Sequence, residues 1–298
     1  MATPTPQEVI DQLLAQDKRL TGISNRFAKE LVKLQKNFLS RFKAELRDPG
    51  LQGARQNFDF GHALKVMNAL NEIMADAGMG DFVTDYVRQF PAITRNALSA
   101  YELYGEAPKL SNASKESLNA YIRFSESTLR KTLDRAMFQP IQSAIFQGTF
   151  GGQANYADVV QQIIDRGSSL PLYQVEVAVD DSFRQYQRAV TVEKAQELDI
   201  QIYWYTGAPP DAIISPQCEY ILTKAPHGVP GMWYRDEISA DMVPDVPMSA
   251  DPLIAGGHPR CRLSSKRFRD QRVCTEQKLS RIPVADRACW SRHLSALG

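Results

Sequence analysis

The sequence of 298 residues has four cysteines and no run of eighteen apolar residues. Four cysteines are too few for a disulfide framework in a chain of this length, and a reducing compartment would keep them as thiols. The missing apolar run argues against a membrane-spanning helix, so we expect no membrane partner. Residues 1–6 lack the basic region and apolar segment of a secretory signal, which predicts synthesis in the cytoplasm.

Motifs of the common enzyme classes are absent as well. The sequence contains no phosphate-binding loop, no dinucleotide fingerprint, no Gly-x-Ser-x-Gly elbow and no His-Glu-x-x-His zinc pattern. Acidic residues are scattered, with nothing that places two carboxylates at one site. Hydrophobic residues make up 43% and charged residues 23%, as in ordinary folded proteins. We therefore expect a folded protein that is not an enzyme.

Charge is unevenly distributed, although the net charge is only +1. Residues 18–47 hold nine basic and two acidic side chains, and residues 266–292 hold eight basic and three acidic ones. Such segments either bind DNA phosphates or an acidic protein surface, or form a solvated helix face. The predicted contact residues are Lys29, Lys33, Lys36, Arg41, Lys43, Arg267, Arg269 and Arg272.

The first two-thirds of the chain has the apolar periodicity of helices. A helix is predicted to begin at Pro6, and a longer one to span residues 23–46, where Ile23, Phe27 and Leu31 begin a stripe with steps of three or four residues. This stripe packs either against its own domain or against neighbouring copies. Further helices are predicted at 62–77, from about 81, at 115–147 with a kink at Pro140, at 156–166 and at 174–198.

Composition changes at about residue 200. Residues 200–205 are β-branched and aromatic, which predicts a strand, and further strands are predicted at 232–234 and 261–264. A short helix is predicted from Ser215-Pro216 to Leu222, and others from Asp236 and over 284–294. The predicted fold is mainly α: an elongated helical region over 1–199, a small α+β domain over 200–268 and a basic tail over 269–298. The aromatic residues near 203 and 233 form either a core or a base-stacking platform.

A His/Cys cluster is the main candidate for metal binding. Cys218 lies near the predicted start of a helix, where the partial positive charge of the helix end favours a thiolate. Zinc takes four ligands; Cys218, His258 and Cys261 would supply three, and Asp211 or His227 the fourth. The alternatives are two buried thiols with His258 hydrogen-bonded to a loop carbonyl, and a disulfide between the two cysteines. No other cofactor is predicted.

The most specific pattern is a series of short motifs between Tyr203 and Arg262. In order, they are Tyr203-x-Tyr205-x-Gly207, Asp211, Ser215-Pro216-x-Cys218, Trp233 with Arg235-Asp236-Glu237-Ile238, and Gly256-Gly257-His258-x-x-Cys261-Arg262. This order resembles the C-terminal module of tailed-phage minor head proteins, the Mu F-like head morphogenesis proteins. Many members of that family have another Cys or His after the arginine, where this chain has Leu263.

The resemblance implies a structural virion protein without catalytic activity. It would be a minor head protein at the portal vertex, needed for head assembly and for DNA packaging or delivery. Its partners would be the portal protein and other head proteins, with several copies in a ring, and its basic ends would contact the portal or genomic DNA. Two alternatives stay open: a DNA-binding protein packaged or ejected with the genome, and a metal-dependent hydrolase or nuclease that uses the His/Cys cluster.

Overall fold

A computed structural model of the chain describes residues 6–45, 60–150, 156–206, 216–224, 228, 232–238 and 264–267. This part is mainly helical, as predicted, with three short strands in its C-terminal region. The helices are α1 (Pro6–Glu45), α2 (Phe60–Asp76), α3 (Met79–Val87), α4 (Phe90–Glu102), α5 (Asn112–Leu133), α6 (Gln139–Phe150), α7 (Tyr156–Ser168), α8 (Tyr173–Glu197) and α9 (Pro216–Thr223). The strands are β1 (Ile202–Thr206), β2 (Met232–Tyr234) and β3 (Ser264–Arg267).

The chain divides into two compact units. The first comprises Met1–Glu106 with Asn119–Arg184, and the second comprises Ala107–Leu118 with Gln185–Gly298. Helices α5 and α8 each contribute residues to both units. The second unit therefore contains the predicted small domain together with helical segments that precede residue 200.

Helix α1 is the longest element of the first unit. Its 40 residues form one continuous helix of about 60 Å, where the sequence had suggested a short helix and a separate one from residue 23. The two join because the segment between them contains no proline, and Gly22 alone costs a helix only about 1 kcal/mol. The predicted stripe faces the core: the buried side chains are Leu20, Phe27, Leu31, Leu34, Phe38 and Phe42.

Helices α2, α3 and α4 follow one another along α1 in the antiparallel direction. Asp76 at the end of α2 pairs with Arg41, Phe82 of α3 packs on Phe27, and Asn96 of α4 meets Gln16. Residue numbers at the contacts therefore decrease along α1 as they increase through α2, α3 and α4. Helix α4 was not predicted separately, although Pro91 in its first turn is a helix-start signal.

An aromatic cluster fills the centre of the first unit. The ring of Tyr86 stacks on that of Phe183 with centroids 4.9 Å apart, and Phe90 and Phe27 meet these rings edge to face. The Tyr86 hydroxyl donates a hydrogen bond of 2.7 Å to Ser182 Oγ. Helices α1, α3, α4 and α8 are held together by these contacts, since one or more of their aromatic rings lies in the cluster.

A π-helical turn separates α5 from α6. The turn covers Asp134–Phe138, and the N–H of Gln139 donates to the carbonyl of Asp134, five residues back. Pro140 explains it, because proline has no N–H and its ring would clash with the carbonyl four residues earlier in a regular helix. A kink was predicted at Pro140; the structure has a widened turn directly before this residue.

In the second unit, α8 ends in a left-handed residue that leads the chain into the sheet. Asp199 has φ of 51°, and Ile200 N–H donates to the carbonyl of Ala195 at 2.9 Å. This is the Schellman arrangement, with aspartate at the position where glycine is usual. The chain then enters β1 three residues after Asp199.

The three strands form an antiparallel sheet in the order β2-β1-β3. Tyr203 pairs with Trp233 on one side and with Arg267 on the other. The third strand was predicted at 261–264; β3 includes Ser264 and continues to Arg267, and residues 261–263 lie outside the described ranges. Pairing with β1, which sets the register, cannot be read from local propensity.

Candidate functional site

Basic residues of α1 form an exposed surface on the side of the helix away from its core stripe. Lys29, Lys36 and Lys43 are spaced by seven residues, which is two helical turns less about 20°. They therefore form one row, in which Lys29 and Lys36 are exposed and Lys43 is half-buried.

A second row runs beside the first. Arg19, Arg26 and Lys33 are also spaced by seven residues, and all three are exposed. Lys33 lies about 40° around the helix from Lys29, so the two rows are adjacent. We call Lys18 together with the two rows the basic face of α1; its members are Lys18, Arg19, Arg26, Lys29, Lys33, Lys36 and Lys43.

Arg41 is a predicted contact residue that the structure places elsewhere. It lies about 120° around the helix from Lys29, outside the basic face. Its Nη1 is 3.4 Å from Oδ2 of Asp76, and both side chains are exposed. An exposed pair of this kind contributes little to stability.

One carboxylate of α1 lies among the cations of the basic face. Between residues 18 and 43 there are eight cationic side chains and one acidic one, Glu30, whose Oε1 is 2.7 Å from Lys33 Nζ. Within the described parts of the chain, no ion pair involves Lys29, Lys36 or Lys43. These three lysines are thus available to an external anion.

A groove of about 440 Å³ borders the second row, between α1 and the start of α3. Its floor is apolar, with Phe27 and Phe82, and its rim carries both Arg26 and the carboxylates of Asp81 and Asp85. Charges of both signs on one rim define no single class of ligand.

A buried lysine and a glutamate organise the helical part of the second unit. Lys194 Nζ donates to the carbonyl of Lys109 at 2.8 Å and lies 3.3 Å from Glu197. Glu197 Oε1 accepts from the N–H of Ser111 and the hydroxyl of Ser114. Burial raises the pKa of Glu197, but the hydrogen bonds from Ser111, Ser114 and Lys194 outweigh it and lower the pKa overall. The hydroxyl of Ser111 accepts from the N–H of Ser114 at 3.1 Å, so Ser111 caps the start of α5 and the network holds this cap in place.

Two aromatic residues of the motif series are core residues of the second unit. Tyr203 is fully buried, and Trp233 is 7% exposed. The indole N–H of Trp233 donates to the carbonyl of Ile221 in α9 at 3.0 Å, and Tyr220 stacks on its ring. For Tyr203 and Trp233 this favours the core interpretation over a base-stacking platform.

The predicted metal site lies mostly outside the described residues. Cys218 is the third residue of α9, as expected from Ser215-Pro216, but its side chain is not described. Asp211, His227, His258 and Cys261 lie outside the described ranges. Among the residues that are described, no three His, Cys, Asp or Glu side chains are grouped as metal ligands. The zinc, thiol and disulfide alternatives therefore stay predictions.

The side chains of the predicted C-terminal contact residues are not among the described ones either. Arg267 lies in β3, where its backbone pairs with Tyr203, and its side chain is not described. Arg269 and Arg272 lie outside the described residues. Arg19 and Arg26 were not among the predicted contact residues, although the spacing of Arg19, Arg26 and Lys33 in the sequence identifies the second row.

Comparison with known proteins gives no relative. No protein-family model, no curated protein and no solved structure matches the chain. In the parts of the chain that the structure describes, no helix is long and apolar enough to cross a membrane.

Proposed function

We propose that the chain is a structural minor head protein of a tailed phage, located at the portal vertex of the virion. The observation that carries this proposal is the ordered motif series between Tyr203 and Arg262. Short motifs recur by chance when taken singly; an order shared over some sixty residues is far more specific.

The arrangement of the second unit supports the proposal. Tyr203 and Trp233, which belong to separate motifs, are neighbours in the register of the sheet, and Trp233 also bonds to the helix that begins at Pro216. These described residues from three of the motifs are thus parts of one small folded module. A compact module of this kind suits an anchor in an assembly.

The helical first unit supports the same proposal in a second way. A minor head protein that resembles the Mu F-like family would have a long helical part before its C-terminal module. Here α1 alone has 40 residues. We propose that this part contacts the portal or neighbouring copies, that several copies form a ring, and that the protein acts in head assembly and in DNA packaging or delivery.

The test is co-purification with the portal protein encoded in the same genome. The tagged full-length chain is co-expressed with the portal and isolated by the tag; we expect a complex of fixed stoichiometry on size exclusion at 0.15 M and at 0.5 M salt. Gold labelling of the tag in particles should then lie at one vertex per head. Absence of a complex together with labelling away from that vertex would refute the proposal.

A further inference from the structure

A small cavity of about 280 Å³ lies between α1 and α4 in the first unit and shares no lining residue with the groove beside α3. Its walls come from about one turn of each helix. Arg19 and Ile23 line it from α1, and Ala92, Arg95 and Asn96 line it from α4. Residues three or four positions apart share a helix face, so these side chains converge. The volume is at the small end of ligand pockets, which suits a single side chain.

The charge of this cavity has one sign. Among the described residues, two guanidinium groups and no carboxylate line it. Arg19 and Arg95 are both exposed, and no ion pair in the described part of the chain involves either of them. Like charges beside one small cavity repel each other, and an anion between them would remove that repulsion. The forked donors of a guanidinium match an anion with two acceptor oxygens.

A buried network holds Arg19 in place at the cavity. Asn96 is buried, and its Nδ2 donates to the carbonyl of Gln16 at 3.1 Å, which leaves its Oδ1 to accept from Nη1 of Arg19 at 3.4 Å. Gln16 Nε2 in turn donates to the carbonyl of Asn96 at 2.6 Å. A guanidinium that is already oriented loses less conformational entropy when it binds. Arg19 is thus preorganised for an anion in the cavity.

The remaining wall is apolar and selects among anions. Ile23 and Ala92 are half-buried and line the cavity beside the arginines. A glutamate side chain has two methylene groups behind its carboxylate, and these can lie against the apolar wall while the carboxylate meets the guanidinium groups. A phosphate group has polar oxygens at the same place, and burying them against apolar atoms costs free energy. Both the charge and the wall therefore fit a carboxylate on a short apolar stem.

We infer that this cavity, the Arg19/Arg95 pocket, binds a glutamate side chain on the surface of a partner protein. Protein interfaces are anchored by a few side chains that fill pockets, and arginine is enriched at such places. A partner surface over the pocket would exclude water from the ion pair and so make it stronger than an open surface pair. The inference goes beyond the proposed function and does not depend on it, since the pocket carries it alone.

The experiment titrates a glutamate derivative into the full-length chain. Its amino group is acetylated and its α-carboxyl is an amide, so the side-chain carboxylate is its single charge, and this group is ionised at pH 6. The arginine Nε–H signals of ¹⁵N-labelled protein are followed by NMR up to about 20 mM ligand. The signals of Arg19 and Arg95 are those missing from Arg19→Gln and from Arg95→Gln. Both should shift, with a Kd on the order of 1 mM.

Three further ligands test which part of glutamate is recognised. The glutamine derivative has the same shape without the charge and should cause no shift. The aspartate derivative lacks one methylene group and should bind at least about threefold more weakly. Inorganic phosphate at equal ionic strength should also bind at least about threefold more weakly, because it has no apolar part.

Matched variants test the pocket itself. Arg19→Gln and Arg95→Gln should each weaken binding of the glutamate derivative at least about fivefold. Arg26→Gln provides the control, since Arg26 is exposed on α1 but does not line the pocket, and it should retain the Kd. Ala92→Glu places a carboxylate of the chain itself in the pocket and should abolish binding. All four residues are exposed or half-buried, so circular dichroism should be unchanged.

Four results would overturn the inference. The first is the absence of any shift of the two arginine signals at 20 mM ligand. The second is binding that survives the loss of either arginine or the Ala92→Glu change. The third is an equal loss in Arg26→Gln, which would indicate general attraction to the charge of α1. The fourth is binding of phosphate or of the glutamine derivative as tight as that of the glutamate derivative. No portal protein takes part, so failure here and failure of the proposed function are distinguishable.

Discussion

Two glycines of the first unit occupy helix positions with opposite requirements. A methyl group on Gly148 in α6 would lie 2.5 Å from Cγ1 of Val159 in α7, and 2.9 Å from its Cγ2. Val159 is fully buried and β-branched, so it cannot move aside easily. Gly22 on the exposed side of α1 has nothing within 4 Å of the same methyl position. Gly148 therefore allows α6 and α7 to approach closely, whereas Gly22 lies at no close contact.

The same substitution should therefore have opposite effects at these positions. Gly148→Ala should destabilise the protein by about 1 to 3 kcal/mol, because α6 and α7 must separate. Gly22→Ala should stabilise it by about 0.5 to 1 kcal/mol, because alanine favours a helix over the unfolded chain. The free energy of unfolding in urea measures both. Equal effects of the two changes would contradict the close approach at Gly148.

Tyr86 makes stability depend on pH in the alkaline range. Burial of its ring raises the pKa of the hydroxyl to about 12, and this outweighs the hydrogen bonds with Ser182 and Ser125, which lower it. A group whose pKa is raised in the folded state contributes its full stability below the pKa of the unfolded chain, about 10 for tyrosine, and loses it as the pH rises toward 12.

We expect the free energy of unfolding of the unmodified chain to fall by about 2 to 3 kcal/mol more than that of Tyr86→Phe between pH 10 and pH 12. The comparison with Tyr86→Phe removes the contributions of lysines and of the other tyrosines. The difference in absorbance at 295 nm between the two proteins should titrate near pH 12. Ionisation of Tyr86 near pH 10 in the folded chain would show that its ring is solvated.

At the scale of elements, a buried polar network sets the register of α4 against α1. Gln16 is 3% exposed, and its Nε2 donates to the carbonyl of Asn96 at 2.6 Å, while Asn96 Nδ2 donates to the carbonyl of Gln16 at 3.1 Å. Ser99 and Gln12 extend the network. Since a buried polar group without a partner is costly, a shift of α4 by one turn would be strongly disfavoured.

A double-mutant cycle tests this pairing. Gln16→Leu and Asn96→Leu should each destabilise the protein by about 1 to 3 kcal/mol, since each removes a buried hydrogen bond between the two helices. The double variant should lose less than the sum, with a coupling of at least about 0.5 kcal/mol. Asn25, exposed on the same helix, provides the control: Asn25→Leu with Asn96→Leu should be additive. Additivity in the Gln16 cycle would show that the two residues act independently.

At the scale of the whole molecule, the proposed anchor depends on one buried tryptophan. Trp233 pairs with Tyr203 in the sheet and bonds to α9, so its loss affects the strands and the helix of the module together. Lys224, exposed at the end of α9, lies 5.2 Å from the centre of the Tyr220 ring and serves as a control.

Trp233→Ala should destabilise the module by about 3 to 5 kcal/mol and abolish co-purification with the portal, while Lys224→Ala should leave both unchanged. Hydrogen exchange should show that the helices of the first unit stay protected in Trp233→Ala. If the sheet amides of Trp233→Ala exchanged freely and the variant still bound the portal, the portal contact would lie outside the second unit.

The sequence predicted those structural features that depend on residues close together in the chain, and it did less well where distant segments meet. The stripe from Phe27 to Phe42 predicted the buried side of α1, because helical periodicity alone determines which side chains share a face. A kink at Pro140 was predicted from the local chemistry of proline, and the structure has a π-helical turn directly before that residue. The extension of strand β3 from Ser264 to Arg267 was not predicted, because its partner in the sheet is some sixty residues away.

The candidate site likewise has some features that the sequence predicts and others that only the packed structure shows. Periodicity in the sequence was sufficient to assign Lys29, Lys36 and Lys43 to one face of a helix, and it also excludes Arg41 once the angle is worked out. That Phe27, Phe38 and Phe42 are unavailable for stacking required the packed core of the first unit.

By itself, the sequence determined the helical class, the ends of most helices, the strand at β1 and the order of the motifs, since these follow from propensity, periodicity and the chemistry of glycine and proline. Tertiary structure alone decided that two predicted helices join as α1, that Gln16 meets Asn96, that Gly148 must lack a side chain and that Trp233 lies inside the module. Those features arise from contacts between distant segments, whose free energies depend on the packed geometry of both partners.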